Sequence, residues 1–274
     1  MESRELPLRA DLAVCDLTVR FGGIIALEKV SLGVERGQVL GVIGPNGAGK
    51  TTLFNAICGF VAPAAGTIEW NGRPLDRVRP HGLAGLGISR TLQGVGLFPR
   101  LTVLENVMMG AERFRRAGFV SALLGLPRSD RDERAVRDRA VECLRRVGCE
   151  DVADRLPATL PYAVQKRVAL ARALAPEPQL MLLDEPAGGL DSSELSALVD
   201  LIRTLGKSIA VMLVEHHMDL VMSVCDRVVV LDFGRVIAEG DPADVRADKD
   251  VLDAYLGREA DRTAIATEAP DAVH

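Results

Sequence analysis

The chain has 274 residues, and its 48% hydrophobic and 26% charged residues are typical of globular proteins and exclude a mainly disordered chain. Its 33 Lys and Arg against 38 Asp and Glu give a formal net charge of −5, so the composition does not favour nucleic acid as a partner. No apolar run reaches the roughly 18 residues of a membrane-spanning helix, and the charged start lacks the apolar stretch of a signal peptide.

Short apolar runs alternate with helical segments, which predicts a parallel α/β sheet covered by helices. Residues 11–30 are rich in Val, Leu and Ile around Gly22 and Gly23, a pattern that predicts two strands joined by a turn. Four nearly continuous apolar runs are typical of strands buried on both faces. They lie at residues 38–43, 180–183, 209–214 and 227–231.

The segments outside the strands indicate a helical insertion and a tail. Residues 101–160 contain no strand signal, and a charged helix is predicted over 129–148, so we expect an α-helical subdomain inserted at about 95–165. The composition after residue 257 turns to Ala, Thr, Glu, Asp and Pro, which predicts a disordered tail over 258–274. Five cysteines without CxxC spacing predict small buried thiols in a cytosolic protein.

A glycine-rich segment with the pattern G-x-x-x-x-G-K-[ST] predicts a phosphate-binding loop. It follows one predicted strand and opens an apolar helix, which is the context that this motif requires. Glycines let backbone N–H groups approach the phosphates, a lysine adds positive charge, and a threonine hydroxyl can reach Mg²⁺. The candidate nucleotide-binding residues are Gly44, Pro45, Asn46, Gly47, Ala48, Gly49, Lys50, Thr51 and Thr52.

Two acids follow the second buried run. Asp184 ends that predicted strand, where its carboxylate can hold the water shell of Mg²⁺. Glu185 is placed to polarise the attacking water as a general base. The residues alone also allow a simpler interpretation, in which both acids only cap the end of a strand.

Together these motifs resemble the ATP-binding cassette (ABC) transporter ATPases over about residues 10–257. Phe21 matches the aromatic that stacks on adenine, Gln93 matches the Q-loop that binds Mg²⁺ and senses the γ-phosphate, and His216 matches the switch histidine. Residues 187–191 match the D-loop, with Asp191 also predicted as the N-cap of a helix in a capping box with Glu194. Taken singly, Phe21 could be a core residue, Gln93 a turn residue and His216 an ordinary strand-end histidine.

The resemblance is strongest to the branched-chain amino-acid (LivG-type) importer ATPases, but the family signature departs from its usual form. The register of residues 165–172 aligns the signature Leu-Ser-Gly-Gly-Gln with Leu160, Pro161, Tyr162, Ala163 and Val164. Pro161 has no hydroxyl to donate, and Ala163 adds a Cβ where backbone approaches the partner's ATP or where a positive φ is needed.

The resemblance implies a fold and a function. The fold is a P-loop NTPase of the ABC type over residues 1–257, with a RecA-like parallel sheet core, an antiparallel β subdomain and the helical subdomain. The chain is expected to bind ATP and Mg²⁺ and to hydrolyse ATP as a peripheral protein at the cytoplasmic face of the inner or plasma membrane. Its expected partners are a second ATPase subunit, identical or different, two permeases and, indirectly, an external solute-binding protein.

Three alternatives to a branched-chain amino-acid importer stay open at this point. The first is an ABC module that binds ATP as a switch with little hydrolysis, which the altered signature favours. The second is the ATPase of a urea, amide or lipid transporter, because these share the cassette. The third, a soluble ABC protein acting on nucleic acid, is disfavoured by the acidic net charge.

Overall fold

The computed structural model describes residues 11–75, 79–91, 94–114 and 127–255. The described residues form two compact units, one from 11–75 with 214–255 and the other from 79–213. Gln93 and the predicted tail at 258–274 lie outside the described residues. In the described part of the chain, none of the helices combines the length and the hydropathy that a membrane-spanning segment requires.

The described residues form ten strands and seven α-helices that are labelled here in chain order. The strands are β1 (Leu12–Phe21), β2 (Ile24–Val34), β3 (Val39–Ile43), β4 (Ala65–Trp70), β5 (Arg73–Pro74), β6 (Ile88–Arg90), β7 (Leu180–Asp184), β8 (Ala210–Val214), β9 (Arg227–Asp232) and β10 (Arg235–Gly240). The helices are α1 (Lys50–Ile57), α2 (Val103–Gly110), α3 (Pro127–Arg146), α4 (Tyr162–Leu174), α5 (Ser192–Gly206), α6 (Met218–Val224) and α7 (Pro242–Ala247), and a further helical run covers 249–255.

The first unit contains an antiparallel sheet and the strand that leads into the phosphate loop. The antiparallel sheet has the order β2-β1-β4-β5, and Gly22 with φ +58° makes the turn between β1 and β2. Strand β3 runs parallel to β9, with Leu40 opposite Arg227, and β10 pairs antiparallel with β9. All five residues of β3 are buried, as the apolar run predicted.

The second unit contains the strand that carries the two acids and a group of packed helices. Strands β8, β7 and β6 lie side by side, with β6 parallel to β7 and Ile88 opposite Leu180. Helices α2, α3 and α4 pack on one another. Helix α2 begins with a capping box, in which the Thr102 hydroxyl accepts from the Glu105 N–H at 3.2 Å.

The predicted apolar faces and thiols agree with the structure except in two details. Helix α3 covers 127–146 rather than 129–148, and its apolar face is buried at Val136, Ala140 and Leu144 as expected. All five cysteines fall within the described residues, and no two of them form a disulfide. Four of them are buried, whereas Cys15 is only half-buried, because β1 turns that side chain away from the core.

Candidate nucleotide-binding site

The backbone of the phosphate loop demands glycine at two of its positions. Gly44 has φ +144°, and a Cβ there would lie 2.1 Å from the Leu231 carbonyl oxygen. Gly49 has φ +105°, and a Cβ there would lie 2.7 Å from Leu27 Cδ2. A side chain at either position would collide with its neighbours, so the glycines of the motif allow the close turn that brings the chain from β3 into α1.

Lys50 is held inside this loop. Its side chain is buried, and the ammonium Nζ donates to the carbonyl oxygens of Gly44 at 2.7 Å and Pro45 at 2.9 Å. The same residue opens α1, whose N–H groups and dipole favour an anion. The first turn of α1 carries no acidic side chain, and Thr51 is exposed beside it. A buried cation, a helix N-terminus and an accessible hydroxyl fit a triphosphate with its metal ion.

Phe21 lies at the end of β1, opposite Ile24 across the hairpin. Its side chain is 50% exposed, and Ile24 is 72% exposed. The core interpretation of Phe21 is therefore wrong, because the ring is not enclosed by the unit in which it lies. An exposed aromatic next to an exposed aliphatic side chain is free to stack on a flat ligand such as a base, and that role stays a prediction.

Asp184 and Glu185 follow β7 in two different environments. Asp184 is buried and pairs with Arg90, whose Nη2 lies 2.7 Å from Asp184 Oδ2. The Asp184 N–H also donates to the Thr91 hydroxyl at 3.2 Å. Glu185 is half-buried and has φ +48°, a left-handed conformation that costs a non-glycine residue about 1–3 kcal/mol. Such strain is common where a side chain must be aimed at a site.

The residues around the predicted switch histidine are ordered by a buried acid. Glu215 is fully buried, and its Oε2 accepts from the backbone N–H of His216 at 2.9 Å and of His217 at 3.1 Å. The His216 imidazole is 51% exposed, and its Nδ1 lies 3.7 Å from Glu215 Oε2. Glu215 therefore fixes the main chain after β8 while the imidazole of His216 points outward.

The signature segment forms the start of α4. Leu160 is buried, Pro161 is the N-cap, and the side-chain amide of Gln165 donates to the Leu160 carbonyl at 2.9 Å. Ala163 lies in the first turn of the helix and has a negative φ. The expectation that position 163 needs a positive φ is therefore wrong, because regular helix suits alanine at this position. The Cβ of Ala163 remains the feature that distinguishes it from glycine.

The remaining signature and D-loop residues lie in the same unit. Tyr162 is exposed and Val164 is half-buried in α4. Asp191 caps α5, and its Oδ1 accepts from the N–H groups of Ser193 and Glu194, each at 2.8 Å. Glu194 returns the bond by accepting from the Asp191 N–H at 2.9 Å, which confirms the predicted capping box. Hydrogen bonds to its carboxylate, first from the Glu194 N–H and then from the hydroxyl and N–H of Ser193, lower the pKa of Asp191.

The sequence motifs did not indicate two residues that the structure places beside predicted site residues, one in each unit. Arg90 lies three residues before Gln93 of the predicted Q-loop, and an arginine alone gives no sign that it pairs with an acid 94 residues away. Glu215 precedes the switch histidine, and its hydrogen bonds to the His216 and His217 N–H groups show that it organises the turn. The position of Glu215, between an apolar strand and a histidine, was the sequence feature that could have indicated its role.

Comparison with known proteins assigns these motifs to one family. A family model described as ABC transporter matches residues 27–188. A second model, described as Branched-chain amino acid ATP-binding cassette transporter, matches residues 235–261. The chain is 40% identical over 251 residues to the high-affinity branched-chain amino acid transport ATP-binding protein BraF of Pseudomonas aeruginosa, across 91% of this chain and 98% of the relative. It is 38% identical over 248 residues to LivG of Escherichia coli K12, across 90% and 97% of the two chains.

Solved structures agree with the sequence comparison. The ADP conformation of MJ1267, an ATP-binding cassette of an ABC transporter, superposes with a TM-score of 0.79 at 30% identity and covers 90% of this chain and 99% of that one. The dimeric post-hydrolysis state of the cassette MJ0796, bound to ADP and Pi, gives a TM-score of 0.70 at 27% identity and covers 84% and 98%.

Proposed function

The chain belongs to the ABC transporter ATP-binding family, and we propose that it is the ATP-hydrolysing subunit of an importer for branched-chain or related amino acids. ATP-binding cassettes are ATPases, and the fold is that of the ABC P-loop proteins. The amino-acid class rests on the BraF and LivG relatives, which are branched-chain amino acid transport proteins, and on the family match at residues 235–261.

One observation carries the nucleotide-binding part of the proposal. The Lys50 ammonium donates to the carbonyls of Gly44 and Pro45, inside a loop that requires glycine at positions 44 and 49. A triphosphate placed at this loop gains the charge of Lys50 together with the N–H groups and dipole at the start of α1. Phe21, exposed at the end of β1, would stack on the adenine ring.

The hydrolytic part assigns roles to five side chains. Thr51 and Asp184 would hold Mg²⁺, with Gln93 as a further ligand, and the ion supplies charge neutralisation on the phosphate oxygens. Glu185 accepts a proton from the attacking water, as a general base does. His216 donates a hydrogen bond to the γ-phosphate, and the Glu215 hydrogen bonds hold its main chain in place.

The proposal includes a dimer of ATPases under two permeases. The signature segment 160–164 and Asp191 would face the ATP of the second subunit, whether that subunit is a copy or a different cassette. A short permease helix would bind in a groove of about 230 Å³ in the second unit. Four apolar and three acidic residues line this groove: Leu101, Met108, Met109, Val136, Glu105, Glu112 and Glu133. Acidic side chains beside methionines suit a partner helix with basic and apolar residues.

Binding is tested with Lys50→Ala and a matched control, Lys207→Ala, which makes the same change at an exposed lysine. Loss of the hydrogen bonds that Lys50 gives to a charged ligand should weaken MgATP binding at least roughly tenfold. Isothermal titration of the nucleotide measures the dissociation constant directly. Equal affinity in Lys50→Ala and wild type would disprove the assignment of the phosphate site.

Hydrolysis is tested with Glu185→Gln, which keeps the size of the side chain and removes the base. Steady-state phosphate release should fall about 10²–10⁴-fold, while the ATP dissociation constant stays within a few-fold of wild type. If the variant turns over at the wild-type rate, another group is the base. If wild type binds ATP but releases no phosphate even with permeases present, the switch module is the better description.

The transported solute is tested by reconstitution with permeases and a binding protein in liposomes. We expect leucine, isoleucine or valine on the binding protein to stimulate ATP hydrolysis. Stimulation by urea, a short amide or a lipid in place of these amino acids would reject the amino-acid assignment and keep the ATPase one.

A further inference from the structure

The turn that follows Asp184 holds Glu185 in an unusual backbone conformation. Glu185 has φ +48°, and the next residue is Pro186, whose ring fixes its own φ. The Gly188 N–H donates to the Glu185 carbonyl at 3.3 Å and closes the turn. Because a left-handed backbone conformation is unfavourable for any residue other than glycine, Glu185 keeps it only where neighbouring groups stabilise it.

Lys166 of helix α4 stabilises this turn by hydrogen bonds. Its Nζ donates to the Glu185 carbonyl at 3.3 Å and to the Pro186 carbonyl at 2.8 Å. The ammonium also lies 5.3 Å from the centre of the Tyr162 ring, within the range of a cation–π contact. The side chain is half-buried, so these contacts are less weakened by water than those of an exposed lysine.

Two carbonyls on one ammonium fix the orientation of two consecutive peptide groups. The first joins Glu185 to Pro186, so its plane sets ψ of Glu185 and with it the direction of the Glu185 side chain. A charged donor gives stronger hydrogen bonds than a neutral one, and the 2.8 Å bond to Pro186 is the shorter of the two. Without the ammonium, the Glu185 carbonyl keeps the bond from the Gly188 N–H but loses its charged partner.

We propose that Lys166 is the positioning residue for the general base Glu185, acting through the main-chain carbonyls of Glu185 and Pro186. This inference rests on the proposed role of Glu185 and adds a residue that acts through the main chain of that base. Lys166 belongs to the helix that begins with the signature segment 160–164, so that helix carries the group that orients the base.

The kinetic test compares Lys166→Met, Lys166→Arg and the control Lys207→Met. Methionine keeps the apolar length of the side chain and removes the hydrogen-bond donors. We expect kcat to fall roughly 10- to 100-fold, because a small displacement of a catalytic group lowers the rate by about this factor. The ATP KM and the melting temperature should stay near wild type. Arginine restores a charged donor for both carbonyls, so Lys166→Arg should recover most of the lost kcat, and Lys207→Met should match wild type.

A second measurement does not depend on turnover. In nucleotide-free protein, hydrogen exchange at the amides of Gly188 and Leu190 should be faster in Lys166→Met than in Lys207→Met, because the turn has lost its charged anchor. Unchanged kcat in Lys166→Met, or equal loss of kcat and melting temperature in the Met and Arg variants, would overturn the proposal. Failure of Glu185→Gln to slow hydrolysis would instead reject the proposed base, so the two failures are distinguishable.

Discussion

The pair between Arg90 and Asp184 should be among the most costly polar contacts to break in the second unit. Arg90 Nη2 lies 2.7 Å from Asp184 Oδ2, and the two side chains are only 13% and 4% exposed. Arg90→Met leaves the buried carboxylate without its cation, and breaking a buried pair in this way costs about 3–5 kcal/mol. For a domain of this size, each 1 kcal/mol lowers the melting temperature by about 2–4 °C, so we expect a fall of about 6–20 °C.

A double-mutant cycle separates the pairing from other effects of the substitutions. The free energy of unfolding in urea is measured for wild type, Arg90→Met, Asp184→Asn and the double variant. The double variant should be less destabilised than the sum of the single variants by about 0.5–3 kcal/mol, because each single change strands the other partner. Arg145→Met is the matched control, since Arg145 pairs with Glu142 at a site where both side chains are more than half exposed. Its cost should not exceed about 1 kcal/mol.

The comparison with Arg145→Met shows whether burial sets the strength of the Arg90–Asp184 pair. If Arg90→Met costs no more than Arg145→Met, then water reaches Asp184 in solution and the burial of the pair does not decide its strength. A cycle that is additive within about 0.3 kcal/mol would refute the pairing itself.

Three further predictions concern a cap, the signature and a thiol. Asp191→Ala should lower the melting temperature by roughly 2–4 °C and Asp191→Asn by less. Because hydrogen bonds lower the pKa of Asp191, its charge stabilises the fold at pH 7 and loses that effect as the pH falls below 3.8 toward the folded pKa. Equal melting temperatures of wild type and both variants would refute the cap. Ala163→Gly should raise the phosphate release of the isolated chain severalfold by removing the Cβ from the proposed contact with the partner's ATP, and unchanged turnover would make Ala163 a tolerated variation. Iodoacetamide at pH 8 should label half-buried Cys15 before Cys225, whose pKa burial raises to about 12, and mass spectrometry of the labelled peptides would show the reverse order if this is wrong.

Local patterns in the sequence determined the elements whose cause is itself local. The loop 44–51 was predicted because its glycines, lysine and threonine act within eight consecutive positions between one strand and one helix. The Asp191–Glu194 capping box spans three residues and was confirmed for the same reason. The strands β3, β7, β8 and β9 were predicted because strands buried on both faces need continuous apolar runs.

Only the tertiary structure decided which side chains hold the candidate catalytic acids. Arg90 and Asp184 are 94 residues apart, and Lys166 lies 19 residues before the carbonyl of Glu185 that it binds. Neither contact follows from spacing, because helix and strand periodicities relate only residues a few positions apart. Burial was also decided by the tertiary structure. Glu215 is fully buried and Phe21 is half-exposed, whereas charge and hydropathy alone favour an exposed glutamate and a buried phenylalanine.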